Sequence, residues 1–228
     1  MSATLTLHHF AFDPACRLVR LTLGEKRLAF NEVAVKWYES DPAFEGLNPS
    51  GRLPVLVVED ARGRLVLCET QAILGFLEEA QAEPPLLPAD IADRAETRRL
   101  LQWFDRKFDA EVNARLMHEK MEKRLLRLGA PDMAAMREGR LALKRHIAYA
   151  EALLAERDWL AGPRLTLADF AAAAQLSVLD YFGELDWRDH AALKTWYVKL
   201  KSRPCFRPLL TDRLPGAAPA GHYHDLDF

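Results

Sequence analysis

The sequence predicts an α+β chain in two parts, a βαβαββα unit followed by an all-helical one. Three observations carry this prediction. From Thr4 to about Ala80 short β-like runs alternate with helical ones, and everything after about Asp90 repeats with a helical period. Between them AEPPLLPAD concentrates three prolines, which cannot continue a helix. The boundaries read as 1–82 for the first domain, 83–90 for the linker, 91–213 for the helical domain and 214–228 for an extended tail.

TLTLHHF opens the first domain as an alternating strand. CRLVRLTLGEK follows as a helix with Leu18, Val19, Leu21 and Leu23 on its apolar side, and LAFNEVAV is the second strand. Asp41 caps a short helix that Pro42 starts. PVLVVED and GRLVLCE flank a turn at Gly63 and form a hairpin, and TQAILGFLEEA closes the domain as a helix. In the second part Leu100, Phe104, Phe108, Val112 and Leu116 recur every fourth residue and line one face of a long helix. Gly129 and Pro131 end it before MAAMREGRLALKRHIAYAEALLAE resumes the pattern. LTLADFAAAAQLSVLDYF has the strongest helix start: Thr166 caps, Asp169 takes the third helical position and Leu165 staples to Phe170. Its run of small and apolar residues predicts a fully buried helix.

The 31 Lys and Arg nearly balance 33 Asp and Glu, so no global positive field favours nucleic acid or an anionic membrane. Cys16, Cys68 and Cys205 are widely spaced and odd in number, which fits neither a disulfide framework nor a zinc site and points to a reducing cytoplasm. The N-terminal run lacks a basic leader with a long apolar stretch, and no window approaches about 18 uninterrupted apolar residues. A soluble, unexported protein without membrane insertion is expected. His8 and His9 point to opposite faces of a strand, while His118, His146 and His190 lack metal-ligand spacing and read as surface residues. No metal and no cofactor is expected.

Cys16 is the single weak candidate for catalysis. A helix N-terminus lowers a thiol pKa, but Asp13 three residues earlier opposes a thiolate, and a core-facing cysteine is the competing reading. NPSGRLPVLV places Pro54 at the start of a strand, where its missing N–H is tolerated. A cis Leu53–Pro54 bond would suit that geometry and leave the Leu53 backbone open to an extended peptide.

With CETQAI entering the next helix, the LTLAD box, and KSRPCFRP near the end, this arrangement resembles the glutathione S-transferase family up to about Arg213. The resemblance implies a GST-like fold with a thioredoxin-like N-terminal domain. It further implies a cis Pro54, Leu53 pairing with the cysteinyl backbone of glutathione, and Glu69 with Thr70 holding its γ-glutamyl end. The family's chemistry also asks for a Tyr, Ser or Cys just after the first strand. Asp13 stands at the serine-type position here, and a carboxylate repels a thiolate instead of donating to it. Leu53, Pro54, Glu69 and Thr70 therefore read as a vestigial glutathione site, and no transferase activity is expected.

RLVRLTLGEKRLAF, RRLLQWFDRKFDAEVN, HEKMEKRLLRLGAPD, KTWYVKLKSRPCFRP and the terminal DLDF are similar to one subgroup, GST-like bacterial cell-division proteins that bind FtsZ filaments. That similarity implies a cytoplasmic homodimeric adaptor at the division site that regulates filament arrangement and curvature. The alternative is a glutathione-dependent transferase or thiol reductase using Cys16. For the adaptor, the expected partner-binding residues are Trp37, Glu119, Arg140, Asp225, Leu226, Asp227 and Phe228. Trp37, beside Tyr38, either anchors a partner or roofs a cleft. Glu119 belongs to a charged run of a kind that is usually a solvated face, and Arg140 lies near it if the two helices pair antiparallel. Residues 214–221 are expected to run extended over the surface, with packing of the tail on its own domain as the competing reading.

Overall fold

Strand β1 (Thr4–His9) alternates as its sequence demands, burying Leu5, Leu7 and His9. The computed structural model describes residues 3–226, so Asp227 and Phe228 lie outside the described residues. Helix α1 (Pro14–Glu25) starts at Asp13, whose carboxylate accepts from the Cys16 N–H at 2.8 Å. Strand β2 (Asn31–Ala34) pairs parallel to β1. Helix α2 (Pro42–Leu47) is capped by Asp41, which accepts from Ala43 and Phe44 N–H. Strands β3 (Val55–Asp60) and β4 (Gly63–Cys68) form the expected hairpin, with Gly63 at a φ of +125° in the turn. Helix α3 (Thr70–Ala80) closes the expected βαβαββα order, and the mixed sheet reads β2-β1-β3-β4.

The second unit begins with α4 (Ile91–Gln102), capped by Asp90. It runs on through a wide stretch with i→i+5 bonding (Trp103–Asn113), α5 (Ala114–Met117), a second wide stretch (His118–Glu122) and α6 (Lys123–Leu125). This explains the four-residue period. In a uniform α-helix residues four apart advance about 40° per step, so five of them would wander over about 160°. Wide turns of about 4.4 residues rotate the other way, and the two drifts offset each other. Leu100, Phe104, Phe108, Val112 and Leu116 consequently all stay at 1% exposure or less. Helix α7 (Met133–Leu154), capped by Asp132, packs against this helix, and at Gly139 the approach is tight: an added Cβ would meet Leu116 Cγ at 2.9 Å.

Helix α8 (Leu167–Tyr181) is buried along its whole length, as its composition predicts. Its start is a node on Asp169, which accepts from Leu160 N–H, Thr166 N–H, Thr166 Oγ1 and Trp196 Nε1, each at 2.9 Å. Helix α9 (Ala191–Lys201) follows, then α10 (Arg207–Thr211). Among the described residues no helix is long and apolar enough to cross a membrane.

The chain divides into two compact units, one ending at Pro85 but including Pro204–Asp212, the other Leu86–Arg203 with the chain from Arg213 onward. A helical domain running continuously to 213 therefore needs correction. Asp212 returns the 204–212 segment to the first unit, lying 2.7 Å from Arg20 Nη1 and 3.4 Å from Arg17 Nη2. Both arginines are buried, so α1 is covered all round from Cys16 to Leu23 and not on one apolar side only.

Candidate functional site

In the first unit, Leu53, Pro54, Glu69 and Thr70, the positions expected to form a vestigial glutathione site, meet at one end of the β3–β4 hairpin. Val55 pairs with Cys68, which sets Leu53 and Pro54 beside Glu69 and Thr70. The Leu53–Pro54 bond is cis. Asn48 shapes the loop before it, donating to the Arg52 carbonyl at 2.8 Å and accepting from Ser50 N–H and Oγ. Leu53 packs on the cluster of Val35, Phe44 and Val55, Pro54 is buried, and Thr70 is the buried first residue of α3. Glu69 is exposed with a φ of +71°.

Cys16 sits in the core instead of facing this loop. It is 0% exposed, and its sulfur accepts from Phe10 N–H at 3.4 Å. Burial, then the neighbouring Asp13 carboxylate, push the thiol well above its ordinary pKa, which outweighs the helix-terminus effect. Both effects favour the neutral thiol over the thiolate. Trp37 is half-buried, edge-on to Phe10 at 6.4 Å and to Tyr38 at 5.5 Å.

In the second unit, Arg140 meets Lys120, the neighbour of Glu119, through a residue the sequence did not single out. Glu184 accepts two hydrogen bonds from the Arg140 guanidinium, at 2.7 and 2.9 Å, and pairs with Lys120 at 2.5 Å. Burial works against its charge, but the bonds from Arg140 and Lys120 prevail and hold the carboxyl below its usual range. Lys120 also donates to the Phe182 carbonyl at 2.9 Å. Glu119, one residue back, is not part of a solvated face. It is 6% exposed, paired with Lys123 at 2.6 Å, and accepts from Asp132 N–H at the start of α7.

The tail joins the same surface. It is not a free extended segment, because Tyr181 holds it at three points: its hydroxyl accepts from Leu214 N–H and donates to the Ala217 carbonyl, and its carbonyl accepts from Ala220 N–H. Gly216, at a φ of +74°, lies where a Cβ would run into the Arg124 guanidinium. Tyr223 is fully buried, edge-on to Tyr181 at 5.1 Å. Beneath it Lys201 and Asp180, both 0% exposed, lie 3.6 Å apart, and His222 Nε2 reaches Asp180 at 2.8 Å. The tail's packing on its own unit through Tyr223 follows from these contacts; Asp225 and Leu226 then emerge exposed. Buried charge within apolar helices, at Asp180 and Lys201, was the available sequence signal for such a dock.

His146 departs from its surface reading: it is 3% exposed. Trp103 Nε1 can only donate, so His146 Nδ1 accepts at 3.1 Å and the proton on Nε2 goes to Glu111 at 2.9 Å. Burial holds the imidazole pKa below its ordinary value against the opposing Glu111. The unfolded chain then binds more protons, so this contribution is complete above the ordinary value of about 6.5 and is lost as pH falls from there through the lowered folded-state pKa. The midpoint of thermal unfolding should drop between about pH 7.5 and 5.5, with a shallower slope in His146→Gln. Equal slopes would refute the assignment. His9, buried beside Arg20, and His8 are lowered by burial in the same direction and contribute to the slope that remains.

Comparison with known proteins places this geometry in a family. The model for the glutathione S-transferase N-terminal domain matches residues 7–85, and that for the C-terminal domain matches 133–198. FtsZ-localized protein A of Caulobacter vibrioides is 66% identical over 228 residues, covering all of both chains. The solved structure of FzlA from C. crescentus superposes with a TM-score of 0.97 at 66% identity, covering 99% of this chain and 100% of that one. A glutathione S-transferase structure from Rhodospirillum rubrum F11 superposes with a TM-score of 0.93 at 45% identity, covering 98% and 100%. Two matched domain models and full-length structural agreement, around a cis-proline hairpin end and a capped, buried α8, have one reading: the chain belongs to the glutathione S-transferase family.

Proposed function

We propose that this chain is a non-enzymatic adaptor that binds FtsZ filaments and regulates their arrangement and curvature at the division site. The observation that carries it is the junction on the second unit, where Glu184 clamps Lys120 and Arg140 beside an anchored tail. Identity of 66% with an FtsZ-localized protein over the whole of both chains supports the same reading. Asp225 and Asp227 supply negative charge for a basic face of the filament, and Leu226 and Phe228 supply apolar area. Glu119 acts by fixing the start of α7, and Trp37 offers an aromatic contact from the first unit. The adaptor works in the cytoplasm as a homodimer.

The non-enzymatic part rests on Cys16 and Asp13. The thiol is buried, and the carboxylate at the serine-type position already caps α1 and cannot stabilise a thiolate. Co-sedimentation with polymerised FtsZ tests the binding. The parent should pellet, and Asp227→Lys and Arg140→Ala should pellet far less while keeping the parent's circular dichroism and sedimentation coefficient. Parent-like pelleting of both variants would rule out this surface. Glutathione conjugation that disappears in Cys16→Ser would restore the enzyme reading.

A further inference from the structure

Residues 123–145, KRLLRLGAPDMAAMREGRLALKR, hold seven Lys and Arg against two acidic residues, in a chain of net charge −2. Apolar side chains stand in solvent within the same stretch, Met133 at 64% exposure and Leu141 at 53%. Together with Arg137, Arg140 and Lys144 they line an open groove of about 420 Å³ on α7. Their spacing keeps them on one helix face over about 16 Å, roughly three turns. The opposite face is committed to the core through Met136, Leu143 and Ile147.

The charges on this groove are only partly compensated. Arg140 is held by Glu184, but Arg137 and Lys144 make no ion pair among the described residues. Along the helix the exposed side chains alternate as Met133, Arg137, Leu141 and Lys144, which matches a ligand whose apolar and carboxylate groups alternate along its length. An amphipathic helix laid in a groove has this pattern. We infer that the α7 groove docks a short acidic amphipathic helix of the filament partner, with Met133 and Leu141 taking its apolar anchors and Arg137 and Lys144 its carboxylates. This inference rests on the filament-binding reading and gives the chemistry of what is bound.

Pelleting of the full chain with polymerised FtsZ at low and high salt tests it, using the double variants Met133→Glu/Leu141→Glu and Arg137→Glu/Lys144→Glu. All four side chains lie on the solvent side, so both variants should keep the parent's unfolding midpoint. Each should bind about ten-fold more weakly, and the charge-reversed one should show a weaker salt dependence than the parent. A synthetic Glu- and Leu-rich amphipathic helix should compete with the filament, and its Lys-for-Glu counterpart should not. A parent that fails to pellet removes the filament reading and this inference with it. A parent that pellets while both variants match it removes the groove alone. A weakened apolar variant beside a parent-like charge variant overturns the acidic partner, and a changed sedimentation mass of the free chain makes the groove a self-contact, which also overturns it.

Discussion

Asp169→Ala is expected to lower the unfolding free energy by about 4 kcal/mol, a large share of a domain's total. The carboxylate is 0% exposed, and burial raises its pKa above the ordinary range against four hydrogen bonds that favour the charge. Removing it strands the Leu160 N–H, the Thr166 N–H and the Trp196 indole N–H in the interior. Each unsatisfied buried donor costs about 1–3 kcal/mol, which a small relaxation only partly recovers. Asp169→Asn keeps the shape but presents an NH₂ where a donor already points, so an intermediate loss is expected. Urea unfolding of the three proteins measures this; a loss in Asp169→Ala under about 1 kcal/mol would mean that the helix start is held by packing and not by the carboxylate.

The second large effect concerns the tail dock. Asp180→Ala leaves the Lys201 ammonium buried without its counter-charge, at a cost of about 3–5 kcal/mol. Burial already lowers the Lys201 pKa, with Asp180 the opposing influence. His222 Nε2 and Trp187 Nε1 lose the same acceptor, at 2.8 and 2.9 Å. Because the tail is terminal it can detach without the rest unfolding, so limited proteolysis near 213–221 should accelerate more than the global midpoint falls. Filament pelleting should fall in parallel if the dock presents the tail's end. Replacing both partners, Asp180→Leu with Lys201→Met, should recover part of the stability, because an apolar pair carries no desolvation cost. Proteolysis at the parent rate in Asp180→Ala would show that Tyr223 alone holds the tail.

What was legible in the chain is local. Asp41 with Pro42, Gly63 in its turn, Thr166 with Asp169, and the apolar face from Leu100 to Leu116 all act within a turn or two of helix or hairpin, where spacing and residue type suffice. Even the exact four-residue period carried information, since it exceeds that of an α-helix and is met by the wide stretch Trp103–Asn113. The meeting of Leu53 and Pro54 with Glu69 and Thr70 was legible for the same reason: register across one hairpin sets Pro54 beside Glu69. The rest depends on partners far along the chain. Arg17 and Arg20 look like an exposed helix face until Asp212, more than 190 residues away, buries them. His146 becomes an interior residue only where Trp103 and Glu111 meet it, and Arg140 finds Lys120 only through Glu184. The tail's prolines and glycines announce no element, and its position comes from Tyr181, Asp180 and Lys201 beneath it. Periodicity reports which side of an element is apolar, whereas burial of a charge is decided by whether a complementary charge arrives from elsewhere to offset its desolvation.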